Sequence, residues 1–229
     1  MALSRSRASI ITLARASPVA AAAMPDAIEG AAAPMDDDDD DDEPPTFVPL
    51  DDEADPAEAW EDPSVGGVLT SILNACEMGD ADALASLLPS LSDSHLETKG
   101  PDGDTALHLA CLYGHAACAR LLLSRGASPS ARDGDDGTPL HDASAGGFDD
   151  VVALLIDAAA RAGSGGVDGV VRAVDGDGET ALHCAARGGH LDVARALLAA
   201  GARKDAASAL GDLAWQCAEE GSDVQALCK

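Results

Sequence analysis

The chain has 229 residues, with 41 acidic against 14 basic side chains and a formal net charge of −27. A field of that sign repels polyanions, so it argues against nucleic acid and anionic membrane surfaces as partners and favours basic proteins or segments. Aromatic residues at 2% beside abundant Ala and Leu argue against a β-sandwich and for short, tightly packed helices.

Residues 1–25 hold Arg5, Arg7 and Arg15, several Ser and Ala, and no acid. That is the composition of an organellar transit peptide, and equally of a disordered leader, with Met24 and Met35 available as alternative starts. Starting at Met24 implies a cytoplasmic or nuclear protein, whereas a working leader implies a plastid or mitochondrion. Residues 26–62 carry 17 acids and no base, centred on Asp36 to Asp42 and Glu43 with prolines scattered around them. Such a stretch cannot bury enough surface to offset chain entropy, so 26–63 is expected to be a disordered acidic region. It lacks the spaced ligands of an EF-hand loop. No run of 18 apolar residues exists, so no membrane-spanning helix is expected.

From residue 64 onward the chain repeats itself. Gly103-Asp-Thr-Ala-Leu-His-Leu-Ala110, Gly137-Thr-Pro-Leu-His-Asp-Ala143 and Gly178-Glu-Thr-Ala-Leu-His-Cys-Ala185 align, with Thr105 to Thr138 spanning 33 residues and Thr138 to Thr180 spanning 42. Thr105, Thr138 and Thr180 occupy N-cap positions, where a hydroxyl can accept a bond from a free backbone N–H. Pro139 follows its cap at the first helical position, where the missing N–H costs nothing. Gly114, Gly147 and Gly189 end each short helix, and Gly126 and Gly201 stop the apolar helices that follow. One turn–helix–turn–helix unit cannot bury its apolar face alone, so neighbours must stack.

This pattern resembles the ankyrin family, marked by T-P-L-H-x-A at a 33-residue period. The resemblance implies an all-α solenoid of about five helix-turn-helix repeats. They are expected at roughly 66–100, 101–133, 134–175, 176–208 and 209–229, the first and last degenerate. It implies that His108, His141 and His183 hydrogen-bond the turn between repeats and that binding is to proteins, on the concave side. The period is broken once: nine extra residues lie between Ile156 and Asp175, and Val167, Val170, Val171 and Val174 recur at helical spacing. A short extra helix is expected there, either packing on the convex side or adding contact area.

Six histidines and six cysteines invite an enzymatic or metal reading. The three histidines of the repeated slot imply a repeated structural job instead, and the cysteines lack paired ligand spacing. Without a secretory signal or a C-x-x-C pair, a reducing compartment is the better expectation. No phosphate-binding loop or nucleophile elbow is present. Neither a catalytic residue, a metal nor a cofactor is expected.

Mapped slot by slot, the expected turn tips are Asp102, Asp104, Asp135, Asp136, Asp177 and Glu179, with Asp212 at the end, a continuous negative strip. The exposed ends of the first helices carry Glu77 and Met78, then Leu112 and Tyr113, and later Arg187. Met78, Leu112 and Tyr113 are expected to stand together as an apolar cluster within a charged rim, with Tyr113, the only tyrosine, as anchor. The expected function is a monomeric, noncatalytic adaptor or scaffold that holds a basic segment of another protein. The alternative is a regulatory inhibitor or escort that masks such a segment.

Overall fold

The computed structural model describes residues 61–92, 95–162 and 166–229. The leader and nearly all of the acidic region lie outside the described residues. From Ser64 the chain forms paired helices in order: α1 (Val68–Met78) with α2 (Ala81–Leu87), α3 (Ala106–Leu112) with α4 (Ala116–Ser124), and α5 (Pro139–Gly146) with α6 (Asp149–Ala162). An additional α7 (Gly166–Val171) precedes α8 (Ala181–Arg187) with α9 (Leu191–Ala199), and α10 (Ala214–Cys217) with α11 (Asp223–Cys228) closes the order. First helices pack in series, α1 to α3 to α5 to α8 to α10, and second helices do the same, α2 to α4 to α6 to α9 to α11. The outcome is two parallel layers of helices, mostly local in contact, as a stacked solenoid requires.

The repeated residues explain the repeated geometry. Leu107, Leu140 and Leu182 point into the core from the second helical position, each at most 1% exposed. Ala110, Ala143 and Ala185, one turn further, are fully buried and small enough to let neighbouring helices approach. In the other layer Leu84, Leu122, Leu155 and Leu197 are equally buried. Fully burying each such leucine contributes roughly 1.5–3 kcal/mol. Gly114, Gly147 and Gly189 hold φ of 76°, 76° and 71° between the two helices of their units, a region that costs an L-residue about 1–2 kcal/mol.

Thr138 and Thr180 each share the cap of their helix with the histidine three residues on, in a capping box. At Thr138 the backbone N–H donates to His141 Nδ1 at 3.1 Å, and the hydroxyl lies 2.8 Å from the same nitrogen. Thr180 and His183 repeat this at 3.2 and 2.9 Å. The imidazole receives the backbone N–H of the capping threonine itself. With Nδ1 accepting, the proton sits on Nε2, which donates to the carbonyl at the end of the next turn. His141 reaches Glu179 O at 3.1 Å, His183 reaches Asp212 O at 3.1 Å, and His108 stands 3.4 Å from Gly137 O. These buried rings form a ladder that ties each repeat to the one after it. It stops at both ends, where Leu73 and Gln216 occupy the equivalent position. Gln216 accepts the Leu213 N–H at 2.8 Å in place of an imidazole.

Turns stack through their backbones. Gly176 N–H donates to Asp135 O and Ala209 N–H to Asp177 O, both at 2.9 Å. Within a turn, Asp133 Oδ1 accepts from the N–H groups of Asp135 and Gly137 at 2.8 Å each, and Asp175 Oδ1 does the same for Asp177 and Glu179 at 3.0 and 2.8 Å. Asp136, at φ 59°, takes the left-handed position that Gly103, Gly178 and Gly211 take in the other turns.

The inserted residues form a helix shorter than the valine spacing suggests. It ends at Val171, while Val174 bridges Thr180 in antiparallel fashion and is 45% exposed. Val174 belongs to the next turn, six residues before its capping threonine, so turn register overrides helical spacing. Val170 and Val171 are buried and α7 packs on α6, which keeps the insertion on the second-helix side, away from the turn tips.

Candidate functional site: an acidic groove between the first two repeats

On the first-helix side, α1, the turn at 100–104 and α3 enclose a groove of about 340 Å3. Leu73 and Leu109 contribute apolar surface, Tyr113 an aromatic wall, and Glu77, Asp102 and Asp104 carboxylates, with no Lys, Arg or His among its lining residues. Leu109 on α3 and Tyr113 at its C-cap, still in helical conformation, are four apart and therefore share a face. Partial burial, together with the carboxylates of Glu77, Asp104 and Asp102, holds the phenol of Tyr113 above its ordinary pKa. The ring also stacks on His115, with centroids 6.3 Å apart.

The structure redistributes the expected site residues. Tyr113 and Glu77 line the groove, whereas Met78 and Leu112 do not. Leu112 sits about 100° around the helix from Tyr113 and is half-buried, and Met78, at the end of α1, is 80% exposed. Leu109 and Leu73 take their place, and the i, i+4 relation to Tyr113 was the available signal for Leu109. Asp104 is not an exposed tip: it is 4% exposed, beside the cap of α3, although it lines the groove. Asp102, Asp135, Asp136, Asp177 and Asp212 are exposed, so the negative strip exists without Asp104 and Glu179 as tips. Leu210, 89% exposed, stands at the last tip where Asp102, Asp135 and Asp177 stand earlier.

Glu179 is covered by Arg187, whose guanidinium pairs with its carboxylate across the surface of α8. Arg187 occupies in its repeat the position of Leu112, and Glu179 that of Asp104, each counted from the capping threonine. At the position of Tyr113, repeats three and four have Gly146 and Gly188. A Cβ there would stand 2.2 Å from the Phe148 ring and 2.4 Å from that of His190. Those rings fold back over the preceding repeat, and His190 and His115 also bond the carbonyls of Ala145 and Glu77 at 3.0 and 3.1 Å.

Two clusters bring metal-ligand types together: His108 with Asp133 and Asp142, and Asp175 with Glu179 and Cys184. Their atoms carry structural bonds: Asp133 and Asp175 hold turn N–H groups, His108 bonds Thr105 at 2.8 Å, and Glu179 pairs with Arg187. Burial holds the thiols of Cys76, Cys111 and Cys184 well above the ordinary range, which suppresses the thiolate needed for nucleophilic work. Among the described residues no helix is long and apolar enough to cross a membrane.

Stacked helix pairs with projecting turns define a helical repeat protein. Residues 72–164 match the family model of ankyrin repeats in three copies, and 177–209 match that of a single ankyrin repeat. The chain belongs to the ankyrin-repeat family. It is 34% identical over 93 residues to the human Notch-regulated ankyrin repeat-containing protein, covering 40% of this chain and 82% of that protein. It is 34% identical over 97 residues to mouse protein phosphatase 1 regulatory subunit 27, covering 42% and 62%. With the NF-kappa-B inhibitor cactus of Drosophila melanogaster it shares 40% identity over 76 residues, 33% of this chain but 15% of cactus. The chain thus spans only a small part of cactus. Family and relatives support a protein-binding, regulatory role.

Proposed function

We propose that the chain is a monomeric, noncatalytic adaptor that holds a basic segment of a partner protein along its first-helix face, working from the cytoplasm or nucleus. The observation that carries this reading is the groove beside Tyr113, where three carboxylates gather around one aromatic ring with no base among the lining residues. The exposed acidic tips extend the same field across later repeats, and such a field speeds encounter with a basic surface. Burial of Cys76, Cys111, Cys118 and Cys228 and the structural hydrogen bonds of His108, His141 and His183 support the absence of catalysis.

A second reading is an inhibitor or escort that masks a basic client segment, favoured by relatives whose names include an inhibitor and a phosphatase regulatory subunit. Affinity capture with the full chain, beside a Glu77→Gln/Tyr113→Ala variant, tests both. One stoichiometric protein lost with the variant supports the adaptor, and many basic proteins released by moderate salt support the escort. Equal recovery on both baits refutes the groove as the binding face.

A further inference from the structure

Resting on the protein-binding reading, we infer that the groove between α1 and α3 is a pocket for one arginine side chain of the partner. The molecule displays the same interaction elsewhere. In the fourth repeat, Arg187 lays its guanidinium on Glu179, and these two residues stand where Leu112 and Asp104 stand in the second repeat. At the fourth repeat the acid at the end of the turn is occupied from within the chain. At the second, the equivalent helix position is a leucine, and Glu77, Asp102 and Asp104 all line the groove.

The remaining surfaces suit arginine better than lysine. Leu73 and Leu109 offer apolar contact to an aliphatic stem. The Tyr113 ring offers a face on which a planar guanidinium stacks, and carboxylates from two elements match its forked donors. An ammonium is a compact, strongly hydrated charge that gains less from either. A groove of about 340 Å3 admits a side chain and its neighbours and lies at the small end of the range for ligand sites, roughly 300–1,000 Å3.

The test uses the full chain, isotope-labelled for amide NMR, titrated with the capped pentapeptide Ala-Ala-Arg-Ala-Ala. Its lysine and citrulline counterparts and tetralysine serve as comparison probes. A per-residue readout is needed because residues 26–62 also attract cations. The arginine peptide is expected to shift Gly100 to Asp104, Leu109 and Tyr113 saturably, the lysine peptide at least fivefold more weakly, and citrulline not at all. Because Tyr113 is the only tyrosine, tyrosinate absorbance reads it alone, and its midpoint should fall when the arginine peptide binds. Glu77→Gln/Asp102→Asn should abolish the shifts. Leu112→Arg, which copies the fourth repeat from a position beside the groove, should bring a guanidinium onto Asp104 as Arg187 meets Glu179, and so weaken the peptide at least tenfold while leaving the fold's spectrum intact. Lysine binding as tightly as arginine, or an unaffected Leu112→Arg variant, overturns the pocket. If tetralysine shifts the tips while the arginine peptide avoids the groove, the pocket falls and the basic-partner reading stands. If neither probe binds the repeats, both fall.

Discussion

The first-helix face carries the same positions at its two ends to opposite effect. Near the start, Leu109 and Tyr113 with three carboxylates leave an open acidic groove. Near the end, Gly146 and Gly188 replace the tyrosine, rings from Phe148 and His190 fill the space, and Arg187 covers Glu179. The difference shows that a repeat scaffold fixes positions, not roles: one slot is a wall at one repeat and a close approach at another.

Breaking the closed end should have the largest effect. Gly147→Ala places a Cβ 2.3 Å from the His190 ring at φ 76°. It should destabilise by about 2–4 kcal/mol, combining left-handed strain with overpacking, as read by urea unfolding. At the open end Tyr113→Ala, one position before Gly114, the counterpart of Gly147, should cost about 1 kcal/mol or less, because the residue is 39% exposed. Similar losses for the two variants would dissolve the contrast.

The ladder between the two ends should give the next largest response. His183→Ala removes the acceptor for the Thr180 N–H and the donor to Asp212 O, and should cost roughly 1–3 kcal/mol. Protonation should weaken the same ladder. Burial holds His141 below its ordinary pKa, outweighing the carboxylates of Asp175 and Asp133 that pull the other way, with Arg132 adding to the depression. A histidine kept neutral in the fold but free to protonate when unfolded contributes stability that is full above the unfolded value near 6.5. That contribution is lost as pH falls towards the folded value. Unfolding free energy should therefore drop between pH 7.5 and 5.5, and less steeply in His141→Leu.

Smaller changes would sharpen the comparison. Arg187→Leu should cost about 0.2–1 kcal/mol, as a surface ion pair does. It should also uncover Glu179 and create weak arginine-peptide shifts at the fourth repeat, measured by the same NMR titration. At the tips, Asp136→Gly should raise stability by up to about 1 kcal/mol in urea, because the left-handed strain relieved at φ 59° exceeds glycine's greater chain entropy when unfolded.

Most of the solenoid was legible because its determinants recur: the threonine, leucine, histidine and glycine of each unit fix caps, core and turns together. What was harder to read arises where one slot holds different residues. Asp104 resembled a tip acid because it adjoins the exposed Asp102. Yet its register matches Gly137 and Glu179, and counting back from the capping threonine separates it from the tips. Val174 likewise follows helical spacing by coincidence, since its register with Thr180 places it in the turn. Leu73 gave little signal because the first repeat lacks the threonine–histidine pair that marks the three central ones. The engagement of Glu179 by Arg187 depends on residues eight apart meeting across a helix start, which spacing alone does not reveal.

The imidazole ladder gives the solenoid a polarity. Each ring is rooted in one repeat and donates only forward, so cutting the stack leaves unlike wounds. The earlier piece keeps an imidazole N–H stripped of its acceptor beside a bared core face, and the later piece keeps a carbonyl that has lost one donor. An orphaned N–H is the rarer and less tolerated defect. Trimming repeats from the C-terminal side should therefore harm what remains more than trimming the same number from the N-terminal side, even though the units look interchangeable in sequence.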